Sequence, residues 1–531
     1  MSGLLSKASA IFITYPVYTF VLGTLVYALV VKILLGKSRY LKRNPRNLPL
    51  PPGPKGYPII GNLFDVPKDK PWVGYSEWTK TYGDMIYFEV LGQPFIVLNS
   101  LQRTIDLFDK RSSNYSDRMR MPMVLELMDW DYNMAMLPYG QWWRRHRRAF
   151  TEHFHHNIVW KYQPTQLRET RAFLHRLLTT PENFMHHIRH TFAATIMSVA
   201  YGITIKDTED PYISNAEEAL MGLAEAGIPG SFLVDLMPWL KYIPAWFPGA
   251  GFQRKAAHWR KVNADVAQKP FKFAEEELQK GTAVPSLSST LIERLPDKSD
   301  PYYAEERKIA QDTAAVAYVG GADTTVSTVQ SFFLAMALYP DVQKRAQAEL
   351  DAVVGRGRLP EFSDRDAMPY VNALVKESVR WNQVIPLAVG HMATEDDEYD
   401  GYFIPRGTVV MGNGWAILHD PEVFEDPMEF RPERYLKDGQ LDPDARNPDC
   451  AAFGYGRRKC PGRHMSDNAL YSIVASVLSV YDITPPRDES GKMVQLKAEF
   501  TSGLLSYPAP FECVIKPRSP EAEALIRDCV E

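Results

Sequence analysis

The sequence predicts a mainly α fold with small β-sheets, an α+β unit in which one large domain follows an N-terminal membrane-spanning helix. Three observations carry this. Amphipathic periodicity recurs between about residues 140 and 382 and again over 461–479, whereas strand-like alternation is confined to short runs near 85–98 and 384–412. An uncharged stretch, Ala10 to Val31, precedes all of it. The 531 residues are 45% apolar and 23% charged, ordinary globular usage that excludes disorder as the dominant state.

The N-terminal element comes first. Ala10–Val31 covers 22 residues, and about 20 apolar residues cross the hydrocarbon core as a helix. Only Lys7 precedes it. Lys32, Lys37, Arg39, Lys42, Arg43, Arg46 and Lys55 follow it, with no acid before Asp65, so the positive-inside rule places the body in the cytosol. Residues 1–35 read as an uncleaved signal anchor, because no small-residue cleavage site precedes the basic run. Residues 36–58 are a basic flank and a strap, Leu48-Pro-Leu-Pro-Pro-Gly-Pro-Lys-Gly-Tyr-Pro58, whose five prolines make a semi-rigid extended spacer. The folded body is 59–531. Its composition narrows the function further. A net charge of −4 gives no whole-protein attraction to nucleic acid, and four cysteines without a C-x-x-C form no disulfide scaffold.

Within the body, Met85–Leu91 and Pro94–Leu98 read as strands joined at Gly92-Gln93. Helical periodicity follows near 140–158, 164–178, 183–201, 214–226 and 253–281. Residues 227–252 combine frequent prolines with large apolar side chains, a hydrophobic loop that either packs on the core or touches lipid. Residues 285–302 read as an exposed connector. Tyr303 to Tyr339 is 37 residues without proline and is the longest helix candidate; Asp341–Val354 and 366–382 continue the helical pattern. Residues 384–412 return to strands, 419–450 are loop, and a last helix spans about 461–479.

The strongest chemical feature is Phe453-Gly-Tyr-Gly-Arg-Arg-Lys-Cys460-Pro-Gly462. Its three glycines let backbone approach something flat and bulky. Pro461 is expected at the first position of the last helix, which puts Cys460 at a helix N-terminus beside Arg457, Arg458 and Lys459. The dipole and the cations should then lower the thiol pKa. A thiolate on haem iron donates electron density that promotes O–O cleavage; a catalytic or merely buried cysteine in a tight turn is the other reading of the same residues.

Phe453, Gly456, Arg458, Cys460 and Gly462 match the F-x-x-G-x-R-x-C-x-G haem-binding motif, and the chain resembles the cytochrome P-450 family, microsomal type. Gly320-Gly321-Ala322-Asp323-Thr324-Thr325 resembles the family's oxygen-activation segment, Glu377-Ser-Val-Arg380 its E-x-x-R helix, Phe430-Arg-Pro-Glu-Arg-Tyr435 its P-E-R motif, and Trp143-Arg-Arg-His-Arg147 the W-x-x-x-R of its haem-propionate helix. The run Tyr242-Ile-Pro-Ala-Trp-Phe-Pro-Gly249 is similar to fungal secondary-metabolism members. The resemblance implies a single large haem domain of the cytochrome P-450 fold that holds haem b (iron protoporphyrin IX), with Cys460 as axial ligand of the iron and Phe453 beside it in the binding motif. Trp143, Arg147, Arg458 and His391 are the expected propionate partners.

Asp323 and Thr324 are the candidate catalytic pair. An acid amid apolar neighbours should have a raised pKa suited to proton relay, and Thr324 can pass a proton or hold the water that does. Glycine and threonine in mid-helix also point to a local distortion there. Glu377 and Arg380, at i and i+3, can pair, with Arg434 completing a structural network. No G-x-G-x-x-G fingerprint or flavin segment is present, so electrons come from another protein. The resemblance implies an NADPH-cytochrome reductase, with cytochrome b5 as a second donor, on the endoplasmic reticulum membrane; Arg144, Arg145, Arg147, Arg148, Arg457 and Lys459 are the candidate docking patch.

The activity these features predict is insertion of one oxygen atom from O2 into a lipophilic small molecule, by hydroxylation or epoxidation, in fungal secondary metabolism of the terpenoid or polyketide kind. The rival is an O2-independent haem-thiolate isomerase or dehydratase, but such relatives often lose the acid–threonine pair that this chain keeps. By position, 118–136, 227–240, 313–321, Val384–Val389 and Thr501–Leu505 should line the pocket. For an amine substrate, Glu126, Asp129 or Asp131 is the expected counter-charge.

Overall fold

The structure, a computed structural model, describes residues 42–529 apart from 208, 209 and 229; the predicted span at 10–31 lies outside the described residues. Among the described residues no helix is long and apolar enough to cross a membrane. The chain forms two compact units. Among the described residues, the smaller joins 42–51 with Glu395–Arg406, and the larger holds Pro52–Thr394 and 407–529.

In the smaller unit, 397–399 and 402–404 form a hairpin turned at Asp400-Gly401, both with positive φ. Arg43 pairs with Asp396 and Arg46 with Glu398, and Phe403 N donates to Pro49 O at 2.8 Å. Two of the basic flank's arginines are therefore matched by carboxylates. The strap's remaining residues belong to the larger unit. There Tyr87 N donates to Pro52 O at 2.8 Å, and a side chain on Gly53 would collide with Tyr87 O. This part of the strap lies on a strand.

That strand is β1 (Met85–Val90), paired antiparallel with β2 (Gln93–Leu98). The turn between them puts Leu91 at φ 51° and Gly92 at φ 85°, the left-handed pair that a two-residue hairpin turn requires. With β3 (Asp117–Arg118), β4 (His391–Met392) and β5 (Val409–Gly412) they make a sheet in the order β1-β2-β5-β4-β3. Only β2 and β5 run parallel. The register sets Arg118 directly opposite His391.

The helices that position the site are α1 (Gln141–Phe154), α2 (Gln163–Thr179), α3 (Phe184–Tyr201), α4 (Pro211–Ala226), α5 (Gly251–Lys280), α6 (Tyr303–Leu338), α7 (Pro340–Val353), α8 (Pro369–Trp381) and α9 (Arg463–Val480). α6 is buried on nearly every side from Ile309 to Ala337, with neighbours packed all round it. α1, α3, α5 and α9 pack against it. The apolar core divides along this helix. Ala310–Ala322 belong to one cluster with α1, α4 and α5, and Val326–Ala337 to another with α2, α8 and α9. Asp323, Thr324 and Thr325 occupy the seam between them.

Two expectations are corrected. α6 stays α-helical through 320–325, so no break makes room there. The room comes from missing side chains: a Cβ on Gly320 would meet nothing within 4 Å, while one on Gly321 would press Ile196 of α3 at 2.9 Å. The 285–302 connector contains a short helix, Leu287–Glu293, whose Ser286 and Ser289 cap one another reciprocally while Leu287 and Ser288 are buried. Its exposed character is therefore confined to its ends.

The 419–450 stretch is mostly irregular, and one buried carboxylate organises it. Glu377 and Arg380 of α8 are both fully buried. Arg380 donates to both carboxylate oxygens at 2.7 and 2.8 Å and to the carbonyls of Leu418, Pro427 and Glu429. Arg434 Nε and Arg431 N donate to Glu377 Oε1 at 3.1 and 2.8 Å. Removing one partner of such a buried pair costs about 3–5 kcal/mol. Glu377→Gln keeps the volume and strips the charge, so its thermal midpoint should fall sharply and little haem-loaded protein should accumulate. An unchanged midpoint would remove this network from the account of the fold.

Candidate active site

The glycine loop before α9 carries the thiol. Cys460 N donates to Phe453 O at 2.8 Å and closes it. Gly456 has φ 53°, and a side chain there would meet Phe108 O at 2.1 Å, so only glycine lets the 105–110 backbone approach. α9 begins at Arg463 with Gly462 as its cap; Pro461 precedes the helix rather than opening it, as the sequence had suggested. Burial pushes the Cys460 thiol above its ordinary value, outweighing the Gly462 amide, Arg147 and Arg463, which all act to lower it. The expected lowering by dipole and cations is thus overcome by desolvation. A metal ion on the sulfur would displace the proton outright.

Cys460 opens into a cavity of about 340 Å³ whose walls include Phe453 and Gly454 of the same loop and Gly320, Gly321 and Thr324 of α6. Four of the expected lining stretches contribute, through Arg118 with Asn133–Met136, Val316–Gly321, Val384–Val389, and Leu504 with Leu505. The fifth, 227–240, does not. Leu220, Leu223 and Ala224 of α4 line the cavity instead. That loop packs on the core through Val234, with Phe232, Leu236 and Leu240 against it, while Trp239, Tyr242 and Trp246 are 61%, 77% and 79% exposed. Among the described residues no acidic side chain lines this cavity. Glu126 is paired with Arg120 and Lys241, and Asp129 with Arg260; these two and Asp131 all lie outside the lining.

Trp143, Arg147, Arg458 and His391 all line the cavity, and Arg118 joins them. The guanidiniums have carbonyl partners only. Arg118 donates to Ala135, Val389 and Gly390, Arg147 to Lys459, and Arg458 to Ser116, Met134 and Leu137. Arg458 also lies over the Trp143 ring at 4.5 Å. His391 Nδ1 faces Tyr115 O at 2.6 Å. Burial holds Arg118 and His391 well below their usual values and pushes Arg458 down to about 10. Asp117 acts on Arg118 and Arg458 from a distance but bonds neither, so three largely buried guanidiniums and an imidazole are electrostatically incomplete, and the two propionates of a haem have the charge they lack. The donor set, the single thiol and the side-chain-free glycine walls fit that group. Arg118 is expected from the sequence only as cavity lining, because it sits in a Met-rich run with no motif; its pairing opposite His391 brings it among the cations.

Thr324 and Asp323 face different ways. Thr324 lines the cavity and its Oγ1 donates to Gly320 O at 2.7 Å. Asp323 is 5% exposed and lies outside the lining. It is not alone among apolar groups, as the sequence had suggested: Arg189 of α3 donates to its Oδ1 at 2.5 Å, and the Tyr507 hydroxyl donates to its Oδ2. Burial would lower the Arg189 pKa, but Asp323, Tyr507 and Glu217 raise it on balance. Neither Arg189 nor Tyr507 stands in a recognisable motif.

The cation cluster generates a prediction with two opposite signs. Arg118→Met removes a buried charge that costs desolvation when nothing anionic is bound, so the haem-free protein should melt no lower than the parent. The haem-loaded protein should release haem to apomyoglobin about tenfold faster. A haem-free form that melts well below the parent would mean that Arg118 serves packing alone.

The comparisons with known proteins agree with this geometry. The family model for cytochrome P450 matches residues 51–513. Cytochrome P450 monooxygenase COX2 of Coprinopsis cinerea is 50% identical over 96% of this chain and 95% of its own length. Cytochrome P450 monooxygenase COX1 of the same fungus is 45% identical over 95% and 98%. Tryptamine 4-monooxygenase of Psilocybe cyanescens is 41% identical over 94% and 99%. A family whose cofactor is haem-thiolate explains a lone buried thiol beside unpaired guanidiniums, and with matches of this extent the chain belongs to the cytochrome P450 family as a monooxygenase of the oxidoreductase class.

Proposed function

We propose that this chain is a membrane-anchored monooxygenase that holds haem b and hydroxylates or epoxidises a neutral lipophilic molecule of terpenoid or polyketide kind in fungal secondary metabolism. The observation that carries this is the single cavity joining Cys460, the cation cluster and Thr324, with mostly apolar walls of aliphatic and aromatic side chains and, among the described residues, no acid. Cys460 would be the axial ligand, while Arg118, Arg147, Arg458 and His391 would hold the propionates, with Trp143 and Phe453 beside them. When bound, the haem supplies the iron at which O2 is activated and one oxygen atom is transferred.

The chain's own residues do the rest. The hydroxyls of Thr195 and Thr324 are already donated to their own helix, at Thr191 O and Gly320 O. Leu220, Leu223, Val316, Val384, Leu504 and Leu505 then offer mostly apolar contact, which favours a hydrocarbon-like substrate and gives an ammonium group no counter-charge. Thr324 stands where a proton must enter the cavity, and Asp323, linked toward solvent through the partly exposed Arg189, is its source. Electrons would come from a membrane-bound NADPH-cytochrome reductase, with cytochrome b5 as a second donor. Arg144 and Arg148, exposed on the face of α1 away from the core, suit an acidic partner, whereas Arg145 is occupied by Glu305 and Glu306.

The anchor reading places the body on the cytosolic face of the endoplasmic reticulum. The outward aromatics Trp239, Tyr242 and Trp246 would suit the same lipid surface. In sealed microsomes, added trypsin should therefore digest the body without detergent; protection until detergent is added would reverse the topology.

The substrate reading is tested by optical titration. The reduced carbonyl spectrum should be that of a thiolate-bound haem and be lost in Cys460→Ser. A sesquiterpene hydrocarbon such as β-caryophyllene should shift the Soret band to the high-spin position, whereas tryptamine should not. A high-spin shift with tryptamine alone would overturn the neutral-substrate assignment.

A further inference from the structure

Both oxygens of Asp323 are engaged outside the cavity lining, one by Arg189 and one by Tyr507. Arg189 also lies over the Tyr507 ring at 5.4 Å, so acid, cation and phenol form one closed cluster. Its outer edge reaches solvent, since the Arg189 side chain is 31% exposed while that of Asp323 is 8% exposed. Its inner edge is Thr324, the next residue, in the cavity wall.

Tyr507 is the unusual member because of the loop that carries it. Thr501 and Tyr507 pair through Thr501 N to Tyr507 O at 2.7 Å and Tyr507 N to Thr501 Oγ1 at 3.0 Å. Within that closed loop, Leu504 and Leu505 line the cavity, and Ser506 N donates to Val384 O at 2.8 Å. One short segment therefore touches the space where a substrate sits and also holds the acid outside its lining.

We propose that Tyr507 is a positioning residue for proton delivery: its hydroxyl holds Asp323 in a resting position beside Arg189, and pressure on Leu504 and Leu505 from the cavity releases it. This rests on the haem-thiolate reading above. The step moves protons only. Once Oδ2 is free, the carboxylate takes a proton from a hydronium ion at the Arg189 edge, leaving water there, and gives it to the Thr324 hydroxyl oxygen as that hydroxyl turns from Gly320 O and passes its own proton to a water in the cavity. Asp323 returns to the carboxylate, no electrons move, and only O–H bonds are exchanged.

Tyr507→Phe removes the hydroxyl and keeps the ring over Arg189. In haem-loaded protein with a normal reduced carbonyl spectrum, NADPH oxidation through a microsomal reductase should quicken about threefold, and its solvent deuterium isotope effect should move toward one. On an Asp323→Asn background the same substitution should change neither. Amide hydrogen exchange over 501–508, which needs no turnover, should rise about fivefold in Tyr507→Phe. Arg189→Gln frees the carboxyl from its other side and should move the isotope effect the same way, which keeps the test open if Tyr507→Phe folds poorly. An unchanged isotope effect with an intact carbonyl spectrum, or an equal change without Asp323, overturns the proposal. A parent protein that lacks the thiolate carbonyl spectrum would fail the haem-thiolate reading instead.

Discussion

One fully buried carboxylate governs where the thiol can be. Glu377 accepts from Arg380, Arg434 and the Arg431 amide, and Arg380 in turn gathers three carbonyls from a stretch with little secondary structure of its own. Apart from that anchor, residues 418–434 are tied to α8 by Trp381 Nε1, which donates to Met428 O, and by the Tyr370 hydroxyl, which donates to Glu433. The loop that follows ends at Cys460, and Gln383, just beyond α8, donates to Ala451 O on the way. The charge is costly to bury, and it is tolerated because both carboxylate oxygens are hydrogen-bonded by cations or an amide.

The cavity shows the reverse arrangement. Arg118, Arg147 and Arg458 are also largely removed from water, yet their partners are carbonyls, and burial shifts Arg118 and Arg458 toward losing their protons. The Cys460 thiol is pushed in the opposite sense by the same desolvation. A single bound group that brings a metal ion to the sulfur and carboxylates to the cations would relieve both penalties together. Coupling of that kind ties the stability of the folded state to the cofactor.

α6 joins the two regions. Its apolar residues belong to different cores on either side of Asp323–Thr325, so the polar residues sit where neither core claims the space. The helical twist then separates adjacent side chains, sending Thr324 into the cavity and Asp323 toward α3. Chemistry that needs an acid linked to solvent and a largely apolar cavity is served by two neighbouring residues about 100° apart around one helix.

Much of this was legible in the chain itself. Periodicity located the long helices to within a few residues, because amphipathic faces repeat locally; α6 declared itself by its length without proline. Cys460, Glu377 and Arg380 were marked by spacing within single segments. What the sequence could not carry were contacts between segments far apart in the chain. Arg118 joins the cations only through the β3–β4 register, Arg189 and Tyr507 reach Asp323 from 134 and 184 residues away, and α4 replaces 227–240 in the wall. The protonation tendency of Cys460 followed the same rule: local dipoles and cations argued one way, and burial, which no local pattern records, decided the other. Residue type and spacing determined which chemistry this protein can hold, and tertiary packing decided which side chains share its cavity, because desolvation and long-range pairing exist only once the chain has closed on itself.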